Sequence, residues 1–233
     1  MRVLFVHGAF ARDGSWWWAP VAGLLQQRGI ASAAVALPSC GEAGVAPTGT
    51  GPGLADDAAA VRAALNGSEP SIVVAHSYGG MVVSEAAAGH PGVACLVYIS
   101  SFLPEVGQSL AGLSSGEDPV PVRMHEDGSV SVIDADLDVR FLHDVGDPGL
   151  VRGARARLTA QSASVFGTPA SAAAWQQTPT LYLVCADDRS TAPALQRQHA
   201  ARASRTVELP TGHHPFLSRP DLVAAAIERF SAG

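Results

Sequence analysis

The stretch Ala75-His76-Ser77-Tyr78-Gly79 decides the fold of this chain, because it places a serine between a strand and a helix. The preceding residues, Ser71 to Ala75, are mostly β-branched and apolar and predict a buried strand. Gly79 to Ala88 predicts a helix with a face of small residues. Small neighbours let strand and helix approach closely while Ser77 takes a strained turn and exposes its hydroxyl. An incidental serine on an ordinary turn is the alternative interpretation of this stretch alone.

The first strand of the chain ends in a turn suited to binding negative charge. Arg2-Val3-Leu4-Phe5-Val6 predicts a strand, and His7-Gly8-Ala9-Phe10 follows it directly. A backbone N–H in such a turn can stabilise a developing oxyanion, together with the N–H of the residue after a nucleophile. We therefore predict an oxyanion hole formed by the backbone N–H groups of Ala9 and Tyr78.

An acid and a base follow in the second half of the chain, each just after a predicted strand. Thr180 to Cys185 leads into Ala186-Asp187-Asp188-Arg189, and Thr206 to Leu209 leads into Pro210-Thr211-Gly212-His213-His214-Pro215. Serine, acid and histidine therefore occur in the chain order that α/β-hydrolases use. The agreement of these placements favours nucleophilic catalysis over an incidental serine.

Four segments of the chain resemble the α/β-hydrolase superfamily, and within it the branch that holds plant methyl-ester esterases, hydroxynitrile lyases and many small bacterial esterases. The matching segments span nearly the whole length and are Phe5 to Phe10, Ala75 to Met81, Val184 to Arg189 and Leu209 to Leu217. The resemblance implies an α/β-hydrolase fold, with a mostly parallel sheet of about six strands, flanking helices and an inserted cap. It also implies that Ser77 is the nucleophile of a serine hydrolase.

The resemblance separates two pairs of adjacent candidates. The family pattern Gly-His-x-Pro selects His213 as the base and leaves His214 as a pocket wall or as a residue that supports the site from behind its lining. The acid of this branch stands immediately before a basic residue, which selects Asp188 and leaves Asp187 as a solvated neighbour. The implied catalytic triad is therefore Ser77, Asp188 and His213.

Other histidines and the tryptophans receive mainly structural interpretations. We expect His76 to point away from the site as a structural hydrogen-bonding group and His7 to brace the oxyanion loop. Trp16-Trp17-Trp18 begins a helix with ordinary core spacing, and one of the three is expected to reach the pocket. None of the eight histidines has the ligand spacing of a zinc site, so no metal is predicted.

Length and composition favour a single α/β domain. The 233 residues, 47% of them hydrophobic, can bury a large core without disulfide bonds. Cys40, Cys95 and Cys185 are too few and too scattered for a disulfide framework. Neither a signal-peptide pattern nor an apolar run of about 18 residues occurs, which predicts a cytoplasmic protein without a membrane span. The net charge of −6 argues against a nucleic-acid partner.

All fifteen basic residues are arginine, and the chain contains no lysine. This excludes a P-loop, a Schiff-base mechanism and a Ser-x-x-Lys nucleophile. The resemblance implies that hydroxynitrile lyases of this branch hold cyanide with a lysine beside the catalytic histidine, where this chain has His214. The absence of lysine therefore weakens the cyanide-lyase alternative. No cofactor is predicted.

Predicted strands and helices alternate along the chain except in one middle section. The first predicted helix runs from Trp17 to Arg28, and the second predicted strand from Ala31 to Leu37. The alternation implies a parallel sheet covered on both faces. We therefore assign residues 1–101 and 176–233 to an α/β-hydrolase core, and residues 102–175 to an inserted cap. We expect the cap to act as a lid that excludes water, with a structural excursion away from substrate as the alternative.

Two elements are predicted within the cap. Val120 to Met124 and Ser129 to Ile133 flank Asp127-Gly128, a pair suited to positive φ, and this pattern predicts a β-hairpin. Pro148 to Gln161 predicts an amphipathic helix.

The predicted function is hydrolysis of a small, mostly apolar carboxylic ester through an acyl-enzyme on Ser77. The expected pocket walls are Phe10, Phe102, Leu103, His214 and Phe216. A small-molecule ester is the expected partner, and both a monomer and a homodimer stay open. The alternatives are a non-hydrolytic enzyme on the same triad, such as a hydroxynitrile lyase or a biosynthetic cyclase, and a non-catalytic ligand-binding protein. A pure binder would not need all three triad residues.

Overall fold

The structure of the chain is a computed structural model that describes residues 1–42, 44–67, 69–114 and 120–231. The other positions, some within the predicted core and cap segments, lie outside the described residues. The strands are β1 (Arg2–Val6), β2 (Ser32–Ala34), β3 (Ser71–His76), β4 (Val93–Ile99), β5 (Val122–Met124), β6 (Ser129–Val132), β7 (Gln161–Ser162), β8 (Thr180–Cys185) and β9 (Arg205–Leu209).

Helices lie between most of these strands, and several are short. The helices are α1 (Gly14–Gln27), α2 (Leu54–Leu65), α3 (Gly79–Ala86), α4 (Leu110–Leu113), α5 (Asp134–Asp136), α6 (Pro148–Arg155), α7 (Ser164–Gly167), α8 (Pro193–Ala200), α9 (Pro215–Ser218) and α10 (Pro220–Ser231). Pro38–Cys40 and Ala174–Gln176 form 3₁₀ turns, and Leu137–Phe141 forms a π-helical turn. Within the described residues, no helix is long and apolar enough to span a membrane.

The central sheet has six strands in the order β2-β1-β3-β4-β8-β9, and every neighbouring pair is parallel. This confirms the predicted α/β-hydrolase sheet. Parallel pairing brings the carboxyl ends of the strands to one edge, where ligands bind in open α/β sheets. The turns that carry Ala9, Ser77, Asp188 and His213 all leave the sheet at that edge.

Both faces of the sheet are covered, because successive side chains of a strand point to opposite faces. Val73 and Ala75 of β3 pack into a core cluster with residues of α2 and α3. Ile72 and Val74 pack into a second cluster with residues of α1 and α10. The alternation of apolar residues on two faces explains why β3 reads as a continuous apolar run in the sequence.

The segment between β4 and β8, called the inserted segment below, contains a small antiparallel sheet in the order β5-β6-β7. The predicted hairpin is present: Arg123 of β5 pairs with Ser131 of β6. Gly128 at its turn has φ +79°, and the Asp127 carboxylate accepts the backbone N–H of Ser129 at 2.9 Å. Turn chemistry at Asp127-Gly128 therefore forms the hairpin as predicted.

The predicted helix over 148–161 is too long, because α6 ends at Arg155. The following residues are recruited by other parts of the chain. Leu158 forms an antiparallel bridge with Ala11, and Gln161 pairs with Val130 of β6. Long-range pairing overrides the helical pattern there, and it connects the inserted segment to the loop after β1.

The edges of two further predicted elements also shift. The helix predicted to begin at Trp17 begins at Gly14, because Asp13 takes a left-handed conformation with φ +59° directly before it. The strand predicted over 31–37 is reduced to Ser32–Ala34, an edge strand that pairs only with β1.

Candidate active site

Ser77 lies at a strained turn between β3 and α3. Its φ of +51° is in the left-handed region, which a residue with a side chain adopts only where the surroundings hold it. A Cβ on Gly79 would lie 2.8 Å from the carbonyl oxygens of both Val6 and His7, so only glycine fits there. The turn therefore packs directly against the end of β1, and this packing holds Ser77 in its strained conformation.

Asp188 and His213 form a buried pair beside this turn. Nδ1 of His213 lies 2.9 Å from Oδ2 of Asp188, and both residues are at most 4% exposed. Oδ1 of Asp188 accepts the backbone N–H groups of Ser190 at 2.7 Å and Thr191 at 3.1 Å. The carboxylate is thus held by donors on both of its oxygens.

The environment keeps Asp188 ionised. Burial acts to raise the pKa of Asp188, but His213 and the surrounding hydrogen bonds outweigh it and lower the pKa below its ordinary value. A depressed carboxyl pKa contributes stability that is present above the unfolded-state pKa and is lost as pH falls through the folded-state pKa. The pair therefore stabilises both the fold and the orientation of the imidazole at neutral pH.

Two partners of Asp188 were not predicted from the sequence. The Ser100 hydroxyl, just after β4, donates to Oδ2 of Asp188 and lies 3.1 Å from Nδ1 of His213. Nε2 of Gln196, on α8, donates to the same oxygen at 2.8 Å. Ser100 also has a positive φ, +43°, at the carboxyl edge of the sheet. A polar residue ending a buried strand was the available signal for Ser100.

The structure separates the two adjacent pairs of candidates. Asp187 is exposed, whereas Asp188 is buried against His213. Nδ1 of His214 donates to the carbonyl of Phe141 at 2.8 Å, and its ring stacks on Trp17 with centroids 5.1 Å apart. Burial, reinforced by His213, lowers the pKa of His214 to about 3, so its ring is neutral at neutral pH. Geometry thus places Asp188 with His213, and His214 against the cavity wall.

The expectation that His76 points away from the site is wrong. Its ring centroid lies 4.5 Å from that of His213, and its Nε2 donates to the carbonyl of His213 at 2.8 Å. Burial lowers the pKa of His76 well below its ordinary value, and repulsion from His213 and His214, where those rings are protonated, adds to the effect. His76 is a hydrogen-bonding group as expected, but the segment that it supports carries His213.

Three buried histidines could hold a metal ion, although the sequence analysis predicted none. The ligand nitrogens of His76, His213 and His214 lie within 4.8 Å of one another. His76 at the end of β3 meets His213 and His214 after β9 only in the folded chain. Their spacing in the sequence therefore gave no signal of a metal site. A metal bound there would compete for the imidazole lone pair that base catalysis needs.

The loop after β1 is braced by a carboxylate. Nδ1 of His7 contacts the carbonyl of Gly8 at 2.8 Å, and its Nε2 contacts Oε2 of Glu42 at 2.7 Å. These contacts agree with the bracing role expected for His7. In the described part of the chain, the backbone N–H groups of Ala9 and Tyr78 meet no protein acceptor. Both residues line the cavity described below, so their N–H groups stay the candidates for an oxyanion hole.

One cavity of about 900 Å³ is lined by Ala9, Ser77, Tyr78, Asp188 and His213. Its volume is at the upper end of the size usual for small-molecule sites. Of the predicted walls, the cavity is lined by Phe10, Phe102, His214 and Phe216. Leu103 is not among the residues that line this cavity, and its side chain is fully buried in the core cluster around β3. Trp17 is the tryptophan of 16–18 that lines the cavity. Much of the remaining wall comes from the inserted segment, including Leu110, Val132, Leu137, Phe141, Leu158 and Phe166.

The sheet, the strained serine and the buried Asp–His pair define the alpha/beta hydrolase class of protein. The family model described as "Alpha/beta hydrolase family" matches residues 3–226. The chain therefore belongs to the alpha/beta hydrolase family.

Comparison with individual proteins gives the same result. The chain is 32% identical over 217 residues to "Alpha/beta hydrolase nvfD" of Aspergillus novofumigatus, a match covering 86% of this chain and 84% of that protein. It is similar to the crystal structure of the pyrethroid hydrolase PytH, with a TM-score of 0.82 and 25% identity over 100% of this chain and 98% of the other. It is also similar to the methylesterase MES16 from Arabidopsis, with a TM-score of 0.79 and 19% identity, covering 100% and 99%. The last likeness concerns the fold alone.

Proposed function

We propose that this protein is a serine hydrolase that cleaves apolar carboxylic esters through an acyl-enzyme on Ser77. The observation that carries the proposal is the buried Asp188–His213 pair on the same cavity as a serine held at positive φ. Neither a strained serine nor a buried acid–histidine pair is needed to stabilise a sheet edge. Their convergence on one apolar cavity is what nucleophilic catalysis requires.

The proposed mechanism is acyl transfer to water. His213 takes the proton of Ser77 as the hydroxyl attacks the ester carbonyl, and Asp188 orients and stabilises the resulting imidazolium. The backbone N–H groups of Ala9 and Tyr78 bind the oxyanion, an effect worth about 2.7–4 kcal/mol for each donor. His213 then protonates the leaving alcohol, and water repeats the cycle on the acyl-enzyme.

The cavity favours a substrate that is apolar and larger than a short-chain ester. Its volume of about 900 Å³ greatly exceeds what a simple acetate would fill. Most of the side chains on its wall are aliphatic or aromatic, and the inserted segment supplies many of them. We propose that residues 102–175 act as the cap of this site and exclude water during turnover.

A series of p-nitrophenyl esters with increasing acyl length tests the function. We expect hydrolysis with a kcat/KM that rises from acetate to medium-length chains, because each buried methylene adds about 0.8 kcal/mol of favourable transfer energy. A fluorophosphonate probe should label the protein covalently at Ser77. Absence of both ester turnover and labelling would contradict the proposal, and cyanide release from cyanohydrins with esters untouched would favour the lyase alternative.

A matched pair of substitutions tests which histidine is the base. His213→Phe should remove activity at every pH, since losing a general base costs about 10²–10⁴-fold. His214→Phe should keep turnover and change mainly KM and acyl preference, because the ring stacks on Trp17 in the cavity wall. Steady-state kinetics on the same ester series, with melting temperatures for both variants, makes the comparison. Equal losses in the two variants would contradict the assignment.

A further inference from the structure

A buried carboxylate lies beneath the Ser77 turn and takes no part in the proposed chemistry. Asp57 of α2 is fully buried, and three donors converge on it. Its Oδ1 accepts the backbone N–H of Ser39 at 2.9 Å. Its Oδ2 accepts the hydroxyls of Ser39 at 2.5 Å and Tyr78 at 2.7 Å. Asp57 thus holds the side chain of the residue whose backbone N–H is a proposed oxyanion donor.

A second series of hydrogen bonds connects Asp57 to the loop after β1. The Ser39 hydroxyl donates to Asp57 and accepts from Nε2 of Gln161 at 2.9 Å. Oε1 of Gln161 accepts the backbone N–H of Phe10 at 2.9 Å. Ser39 and Gln161 are fully buried. Since the Phe10 N–H fixes the orientation of the Gln161 amide, every bond in the series runs from donor to acceptor towards Asp57.

The backbone of Phe10 needs this support. Its φ of +61° is a left-handed conformation that costs free energy for a residue with a Cβ. Its carbonyl accepts the backbone N–H of Thr159 at 2.9 Å, and Ala11 forms its bridge with Leu158. Residues 158–161 of the inserted segment therefore hold the loop from both sides of Phe10, directly beside Ala9.

We propose that Asp57, Ser39 and Gln161 form a positioning network that sets the spacing of the two oxyanion donors, the backbone N–H groups of Ala9 and Tyr78. The inference rests on the proposed function and adds to it. One arm of the network reaches the Tyr78 hydroxyl, and the other passes through Ser39 and Gln161 to the loop after β1. Asp57, Ser39 and Gln161 are not among the residues that line the cavity. The network is therefore assigned to the position of the oxyanion donors in the transition state, and substrate binding to the residues of the cavity wall.

The test compares identical substitutions at adjacent positions. Asp57→Asn puts an amide nitrogen, which only donates, where the hydroxyls of Ser39 and Tyr78 donate, so both hydroxyl protons lose their buried acceptor. Asp56→Asn makes the same charge change in the same helical turn, at an exposed side chain. We expect Asp57→Asn to lower kcat by about 10–100-fold with little change in KM, because misplacing a reacting group by about 1 Å costs on the order of 10²-fold. Asp56→Asn should match the wild type.

Two further measurements distinguish positioning from a general loss of structure. Affinity for a trifluoromethyl ketone, whose serine adduct places an oxyanion in the hole, should fall in parallel with kcat/KM. Gln161→Met, which breaks the arm that reaches the loop after β1, should also lower kcat. The double variant with Asp57→Asn should lose less kcat than the product of the two single fold-losses. Tyr78→Phe, which removes only a hydroxyl, replaces Asp57→Asn if that variant does not fold.

The outcomes separate this inference from the function on which it rests. If the wild type hydrolyses esters and Asp57→Asn has the same kcat as Asp56→Asn, the network is overturned and the proposed function stands. A fall in Asp57→Asn confined to KM would also overturn it, because the network is assigned to the transition state. Absence of ester turnover in the wild type would overturn the proposed function and the network together.

Discussion

Ser77→Ala is expected to abolish ester hydrolysis and fluorophosphonate labelling while the protein stays folded. The attacking oxygen is lost, and no other group of the proposed mechanism can form the acyl-enzyme. The fold should persist because alanine meets the same backbone strain at φ +51° that serine does. Intact-mass analysis after probe treatment, together with circular dichroism, measures both consequences.

A second serine of the same region provides the control for Ser77→Ala. Ser84 is fully buried on α3, and its hydroxyl lies 3.1 Å from that of Tyr98 in the core. Ser84→Ala should retain labelling and turnover, although it leaves the Tyr98 hydroxyl without this partner. Persistent labelling of Ser77→Ala at another serine would show that the nucleophile lies elsewhere.

Asp188→Asn is expected to lower kcat by about 10⁴-fold, the usual effect of removing the triad acid. Five donors surround the Asp188 carboxylate, including Nδ1 of His213 at 2.9 Å. An amide nitrogen facing that Nδ1 would donate to it and move the ring proton to Nε2. His213 in that tautomer cannot accept the Ser77 proton, so the base is lost although the ring is present.

Asp187→Asn is the matched control, because it makes the same substitution one residue away on an exposed side chain. Its kcat and KM should stay close to those of the wild type. Kinetics should be measured well below the melting temperature of each variant, since each buried donor left unpaired by the loss of the Asp188 carboxylate costs about 1–3 kcal/mol. A large loss in Asp187→Asn with a small one in Asp188→Asn would place the acid at the other position.

The sequence by itself determined the sheet and the order of the candidate site along the chain. β-branched apolar runs such as Ile72-Val73-Val74 predict strands from local pattern alone, and small residues at Gly79 and Gly80 predict the tight turn beside them. Each polar candidate stands just after a strand, and parallel strands bring their carboxyl ends to one edge. These are properties of neighbouring residues, so no long-range information was needed.

Tertiary structure alone decided which side chains meet at that edge. Ser100 reaches Asp188, and Gln161 reaches the loop after β1, only because distant segments fold against each other. The same holds for His76, which was expected to point away and instead contacts His213. Leu103 faces the core because the direction of a side chain after a strand depends on how the chain turns there. Contacts between remote segments depend on packing, so a local sequence pattern can mark a residue such as Ser100 but cannot name the side chain that it meets.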